Sequence, residues 1–370
     1  MKTIDLFCTV IDNFGDIGVC RRLALQLHRE YGHAVRLWVD DLASFSRLAP
    51  ELDTRAAVQS WQGLEVRHWV EGAADGVIPA DIIIEGFGCR LPESFLNAMA
   101  QKQPAPVWLN LEYLSAEDWT LGCHGLTSPH PRLPLRQHFF FPGFDPRSGG
   151  LLRERDLLTR RDAFQRDPAT QRAFWDYLHC PEAMQAGKRI SLFAYENPAV
   201  PALLTQLAGE SEPVLLAVPE GRVLAEVSRW CGRELRAGDH LTQGSLSIAV
   251  LPFLSPDDYD RLLWACDLNF VRGEDSFIRA HWAGRPLVWH IYPQDDAAHM
   301  VKLEAWLALC RESLPASWLE LQRQWNHGAI DAAGLFRAWP EVIRGSAAFC
   351  RHLSDQSDLA ARLEEFCAER

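Results

Sequence analysis

The chain has 370 residues, 48% hydrophobic and 23% charged, which is room for two packed cores in an ordinary globular protein. A formal net charge of −12 excludes a general nucleic-acid binder, because neutralising phosphate takes clustered Lys and Arg. The absence of any apolar run near the ~18 residues of a membrane span, the carboxylate of Asp5 where a signal peptide would be apolar, and ten singly scattered cysteines without zinc spacing point to a cytoplasmic protein with no membrane segment and no metal.

Residues 3–11 are mostly β-branched and apolar and read as a buried strand, and Val19, Leu23, Leu25 and Leu27 mark a following helix. The loop between them, Asp12-Asn13-Phe14-Gly15-Asp16-Ile17-Gly18, lies where open α/β sheets place their chemistry. It offers only Gly15 and Gly18 and no Lys, and its two carboxylates would repel a diphosphate. Such a loop suits a cation or a proton. Asp16 fits a helix N-cap as well, and Asp12 a turn residue bonded to nearby backbone.

Residues 34–39 read as the second strand, 64–70 as a weaker one, 81–85 as a strong one leading into Gly86-Phe87-Gly88-Cys89-Arg90, and 106–112 as another. Ser115-Ala116-Glu117-Asp118 signals a helix start. Strands alternating with helical segments predict a parallel, doubly wound sheet, so the first domain is Rossmann-like, with the loops after Ile11, Glu85 and Glu112 on one edge. The aromatic cluster at 138–144 reads as core. Residues 151–188 change character, and their charged run reads as an exposed connecting helix.

A second α/β pattern follows, with strands at 189–195, 213–219 and 246–252, a helix over 202–207, and Ser255-Pro256 as a cap with proline in the first helical position. Next comes Asp267-Leu268-Asn269-Phe270-Val271-Arg272-Gly273-Glu274-Asp275-Ser276-Phe277, a short strand, a glycine turn, and a helix beginning near Ser276. Gly273 lets backbone approach a ligand, Arg272 can fork onto phosphate, and the helix start supplies N–H groups. The plain alternative is a capped helix in which Arg272 pairs with Glu274 or Asp275. Residues 285–294 form the next strand and exit loop, putting Tyr292 and Gln294 on the ligand edge. Tyr292, Phe253 or Tyr195 could stack on a nucleobase, although each alone reads as packing. His290 reads as a satisfied core histidine. Phe349, Leu353, Leu359, Leu363 and Phe366 predict an amphipathic helix over 346–370.

The two constellations, with Trp108-Leu109-Asn110-Leu111-Glu112-Tyr113-Leu114-Ser115, Ser148-Gly149-Gly150-Leu151 and Trp289-His290-Ile291-Tyr292-Pro293-Gln294, resemble the bacterial elongation factor P arginine rhamnosyltransferase family, EarP, over essentially the whole chain. One departure is Cys20-Arg21-Arg22, where the family pattern has Trp before the arginine. The resemblance implies an α/β protein of GT-B fold, with two Rossmann-like doubly wound domains facing across a cleft. The domains expected are 1–150 on the acceptor side, with helix 346–370 packing back on it, a connector at 151–188, and a nucleotide-sugar domain at 189–345. It further implies inverting, metal-independent transfer of L-rhamnose from dTDP-β-L-rhamnose, with no cofactor, to a loop arginine of elongation factor P. The modified factor then serves ribosomes stalled at polyproline. By the same resemblance Asp16, Asp12 and Glu274 are catalytic. Asn13, Phe14, Gly15, Phe193, Tyr195, Phe253, Arg272, Gly273, Asp275, Ser276, Tyr292 and Gln294 bind the nucleotide sugar. A monomer is expected. The competing readings are a non-catalytic nucleotide-sugar-binding regulator and a GT-B enzyme with another acceptor.

Overall fold

The computed structural model describes the chain apart from Asp12, Asn13, Asp295, Asp296 and the side chain of Ala183. Two compact units divide it, one formed by Met1–Arg155 with Gln356–Arg370, the other by Asp156–Asp355.

The first unit contains β1 (Thr3–Cys8), α1 (Gly15–Tyr31), β2 (Ala34–Val39), α2 (Leu42–Leu48), β3 (Val58–Trp61), β4 (Leu64–His68), β5 (Ile82–Gly86), α3 (Glu93–Gln101), β6 (Val107–Leu111), α4 (Asp118–Cys123), β7 (Thr127–Pro129) and β8 (Arg136–Phe140). Its eight strands form one sheet in the order β3-β4-β2-β1-β5-β6-β8-β7. The six inner strands are parallel, and β3 and β7 are antiparallel edges. Parallel strands covered on both faces read as continuous apolar runs, and β5 is buried along its whole length. Asp5 on β1 is fully buried yet satisfied, because Arg36 forks onto it at 2.6 and 2.7 Å and Trp38 Nε1 and the Ala80 N–H donate at 2.9 Å each. One layer of the core forms around Phe7, Trp38, Phe95 and Trp108, with Phe7 stacked on Trp38 at 5.1 Å.

The second unit contains α5 (Leu157–Arg166), α6 (Pro168–Tyr177), β9 (Lys188–Leu192), α7 (Val200–Ala208), β10 (Val214–Pro219), α8 (Leu224–Cys231), β11 (His240–Gln243), β12 (Leu246–Leu251), α9 (Pro256–Ala265), β13 (Leu268–Arg272), α10 (Asp275–Ala283), β14 (Leu287–His290), α11 (Ala298–Cys310), α12 (Ala316–Asn326) and α13 (Trp339–Ser354). Its sheet runs β11-β12-β10-β9-β13-β14, parallel except for the edge strand β11. As the sequence suggests, the Ser255 side chain caps α9 and Pro256 opens it.

Three expectations change. The helix over 346–370 is two helices, α13 in the second unit and α14 (Leu359–Ala368) in the first. Asp358 breaks it, because its carboxylate takes the N–H groups of Ala360 and Ala361, capping α14. The segment 151–188 divides at 155/156, and α5 and α6 belong to the second unit rather than forming a connector. Nor is its charged run wholly solvated: Arg161 donates to the Trp282 carbonyl at 2.8 Å, and Phe164 lies edge-on to Trp264 at 5.8 Å. The first strand stops at Cys8, short of Ile11.

In both sheets the strand order reverses beside the first strand, between β1 and β5 and between β9 and β13. Ligands of open α/β sheets bind outside the carboxyl ends of strands at such reversals. Among the described residues no helix is long and apolar enough to cross a membrane.

Candidate active site

The first reversal carries the acidic loop. The registers Cys8↔Gly86 and Gly86↔Leu111 set the ends of β1, β5 and β6 in a row, so their exit loops open on one edge. Asp16 is the second residue of α1 and is 3% exposed, and its Oδ2 accepts the Ile11 N–H at 2.8 Å. The cap position belongs to Phe14, which makes no side-chain cap bond. Asp16 is therefore not the N-cap. Its place in the first helical turn, near the positive end of the helix dipole, is favourable for a carboxylate. Phe14 and Gly15 are half-buried at the loop's end. Asp12 and Asn13 lie outside the described residues.

Asp40, at the exit of β2, accepts the Val10 N–H at 2.9 Å, so two carboxylates grip adjacent peptides of one loop. Sequence reading passed over Asp40, because nothing local ties it to Val10, thirty positions earlier. Beneath the loop the Cys8 thiol is pushed well above its ordinary range by its hydrogen bond with Cys20, by burial, and by the nearby carboxylates of Asp16 and Asp40. Cys8 stays a neutral packing group, and Cys20, at the departure from the family pattern, is fully buried beside it.

The exits of β5 and β6 are laced together. The Phe87 N–H donates to the Leu111 carbonyl at 2.7 Å, the Gly88 N–H to Asn110 Oδ1 at 3.1 Å, and Asn110 Nδ2 to Glu112 Oε1 at 2.7 Å. Phe87, at φ +58°, stacks on Tyr113 at 4.6 Å. This adds an aromatic pair and the Glu112 carboxylate to the edge that holds Asp16.

The second reversal carries the basic loop. Gly273 sits at φ +59°, a conformation costly for residues with a Cβ, and turns β13 into α10. Glu274 occupies the cap position of α10 without a side-chain cap, and Asp275 begins the helix. The Ser276 hydroxyl accepts the Arg272 N–H at 3.1 Å and donates to the Arg272 carbonyl. It closes the turn, while the N–H groups of the first helical turn are of the kind that can take an anion. Trp289 Nε1 donates to the Gly273 carbonyl at 2.8 Å, and Phe277 stacks on Trp289 at 3.8 Å, fixing the turn from below.

The Arg272 guanidinium lies 4.4 Å from the centre of the Phe193 ring and 4.9 Å from that of Tyr195. Tyr195 meets Tyr292 edge-on at 5.4 Å and His290 at 5.3 Å. Phe193, Tyr195, Arg272 and Tyr292 are thus one cluster. Phe253 and Gln294 ride on the exits of β12 and β14 at the same edge, Phe253 half-buried and Gln294 exposed. His290 differs from the expected satisfied core residue, since its buried Nδ1 has no hydrogen-bond partner among the described residues. Burial pushes its pKa down to about 4, and the positive charges of Arg272 and His299 add to this, so the ring is neutral near pH 7. It is therefore unsuited to protonating a leaving group there. Among the described residues no three His, Cys, Asp or Glu side chains are grouped to hold a metal ion.

A family model described as elongation factor P (EF-P) rhamnosyltransferase EarP matches residues 4–368. A Pseudomonas putida protein named protein-arginine rhamnosyltransferase is 50% identical over 373 residues, 98% of each chain. A Pseudomonas aeruginosa protein of the same name is 50% identical over 378 residues, 100% of each. A solved structure described as the structural basis for EarP-mediated arginine glycosylation of translation elongation factor EF-P aligns at TM-score 0.71 and 39% identity, covering 100% of this chain and 99% of that one. A Rickettsia africae glycosyltransferase aligns at TM-score 0.51 with 9% identity over 98% of this chain and 96% of that one, a likeness of fold alone. The fold is GT-B.

Proposed function

The chain belongs to the EF-P rhamnosyltransferase family EarP, and we propose that it transfers L-rhamnose from dTDP-β-L-rhamnose to a loop arginine of EF-P, with inversion at the anomeric carbon, in the cytoplasm. The observation that carries this reading is the division of charge between the two strand-order reversals, carboxylates at one and a guanidinium with a helix N-terminus at the other.

An arginine side chain is a poor nucleophile, because its guanidinium keeps its proton up to a pKa above about 12 and its lone pair is delocalised. In our reading Asp12 fixes the planar fork through paired hydrogen bonds while Asp16 removes a proton as nitrogen attacks. One N–C bond forms, the anomeric C–O bond breaks, the proton goes to Asp16, and the electron pair leaves on dTDP. Negative charge then grows on the diphosphate. Arg272 and the N-terminal N–H groups of α10 are oriented in advance to receive it. Glu274 is assigned to the sugar, and Phe193, Tyr195, Phe253, Tyr292 and Gln294 to the nucleotide. Attack opposite the leaving group yields α-linked rhamnose.

The assignments separate by experiment. Removing a general base typically costs 10²- to 10⁴-fold in rate, so Asp16→Asn is expected to lose transfer by that order while binding dTDP within several-fold of the parent in calorimetry. Arg272→Ala is expected to weaken dTDP roughly 10- to 100-fold, the worth of hydrogen bonds from a charged donor. An active Asp16→Asn enzyme, or unchanged dTDP affinity in Arg272→Ala, defeats the corresponding role.

A further inference from the structure

We propose that Arg222 is a second guanidinium for the donor diphosphate, parked against Glu196 until the nucleotide arrives. The inference rests on the donor reading of the second unit, and it starts from a charge deficit in that reading. The exit loops of β9, β10 and β13 carry Glu196, Glu220, Glu274 and Asp275 at the edge where a diphosphate is to bind. Arg272 and a helix N-terminus, equivalent to about half a positive charge, offset the charge of an incoming diphosphate only in part.

Arg222 lies one strand away, on the exit of β10, which pairs directly with β9. The Glu220 N–H donates to the Leu251 carbonyl at 2.9 Å, tying this exit to that of β12. Gly221 lies so near the Phe193 ring that an added Cβ would stand 3.4 Å from it. The Arg222 guanidinium carbon is 5.8 Å from the centre of the Tyr195 ring, the ring that Arg272 approaches at 4.9 Å. One aromatic side chain thus meets both guanidinium groups, through a face attraction that cations share.

The partner of Arg222 is loosely held. Its Nη1 is 4.0 Å from Glu196 Oε2, with the two side chains 43% and 57% exposed. An exposed pair at that separation contributes little, and phosphate oxygens accept the guanidinium fork in the bidentate geometry that strengthens such bonds. Exchanging Glu196 for phosphate therefore costs little and brings a second cation to the leaving group. Glu196 in turn competes with the nucleotide for Arg222.

The competition gives changes of opposite sign. The intact protein and its Arg222→Ala, Arg222→Lys, Glu196→Gln and Arg272→Ala variants are titrated calorimetrically with dTDP and with thymidine. Arg222→Ala is expected to weaken dTDP about tenfold and thymidine less than twofold. Arg222→Lys, with charge but no fork, should fall between it and the parent, and Glu196→Gln should bind dTDP several-fold more tightly. Unchanged dTDP affinity in Arg222→Ala, or an equal loss for thymidine, overturns the proposal. If Arg272→Ala loses dTDP while Arg222→Ala does not, this inference fails and the donor reading stands; if the parent itself does not bind dTDP, the donor reading fails.

Discussion

Glu85 gives a sharp test of the packing that supports the first reversal. It lies on β5, one residue before the exit turn, 5% exposed, and its carboxylate accepts the Leu91 N–H at 3.2 Å and a bond from Gln137 Nε2. Burial raises its pKa from 4.5 to about 7, with these two hydrogen bonds opposing the rise. The folded protein therefore holds this proton where the unfolded chain has released it. The resulting stability is complete below about pH 4.5 and is lost as pH rises through 7. A gap of about 2.5 pH units at 1.36 kcal/mol each sets a ceiling of about 3 kcal/mol. Glu85→Gln is neutral at every pH and can still accept from Leu91. Its advantage over the parent should grow by about 2 kcal/mol between pH 5 and pH 8, several degrees in Tm for a unit of this size. Thermal unfolding of both proteins at the two pH values measures it. A difference that does not change with pH would refute the assignment of a buried, proton-holding carboxyl.

Two further predictions concern the second unit. Asp260 and Arg279, each 1% exposed and paired at 2.9 and 2.6 Å, fasten α9 to α10. Arg279→Met removes the cationic partner of a buried carboxylate and should cost about 3 kcal/mol in thermal unfolding, part of which Asp260→Asn restores in the double variant; equal stability of the single variant and the parent would contradict this. Asn326 on α12 accepts the Ile291 N–H at 3.0 Å and donates to the Trp289 carbonyl at 2.7 Å, immediately before Tyr292. Asn326→Ala should raise the donor KM several-fold with kcat within twofold, whereas a fall confined to kcat would place the residue elsewhere in the cycle.

Much of the scaffold was legible because the inner strands are buried on both faces. Asp81-Ile82-Ile83-Ile84-Glu85 has no alternation to confuse it with an amphipathic strand, and the structure has β5 there. The edges were not legible. Thr127-Ser128-Pro129 is exposed throughout and carries no apolar signal, and β3 pairs only through its hairpin with β4. Strand order also escaped, although it decides which loops lie at a reversal. Asp358 carried a readable cap signal that the amphipathic pattern over 346–370 outweighed. At the site, chain-local signals placed Arg272, Gly273 and the start of α10. They left Asp16 open between cap and base, and the structure gives the cap position to Phe14. Contacts between distant segments, Asp40 with Val10 and Arg222 with Tyr195, appear only once the sheets are assembled.

The central claim is transfer of a deoxyhexose to arginine by a chain whose first loop serves the acceptor and whose second serves the donor. The most direct measurement is the mass of EF-P, intact and as peptides, after incubation with this protein and dTDP-β-L-rhamnose, with Asp16→Asn in parallel. The account predicts one deoxyhexose-sized increment on a single arginine-containing peptide with the parent protein and none with the variant. An unmodified EF-P, or an increment on a residue other than arginine, would contradict it.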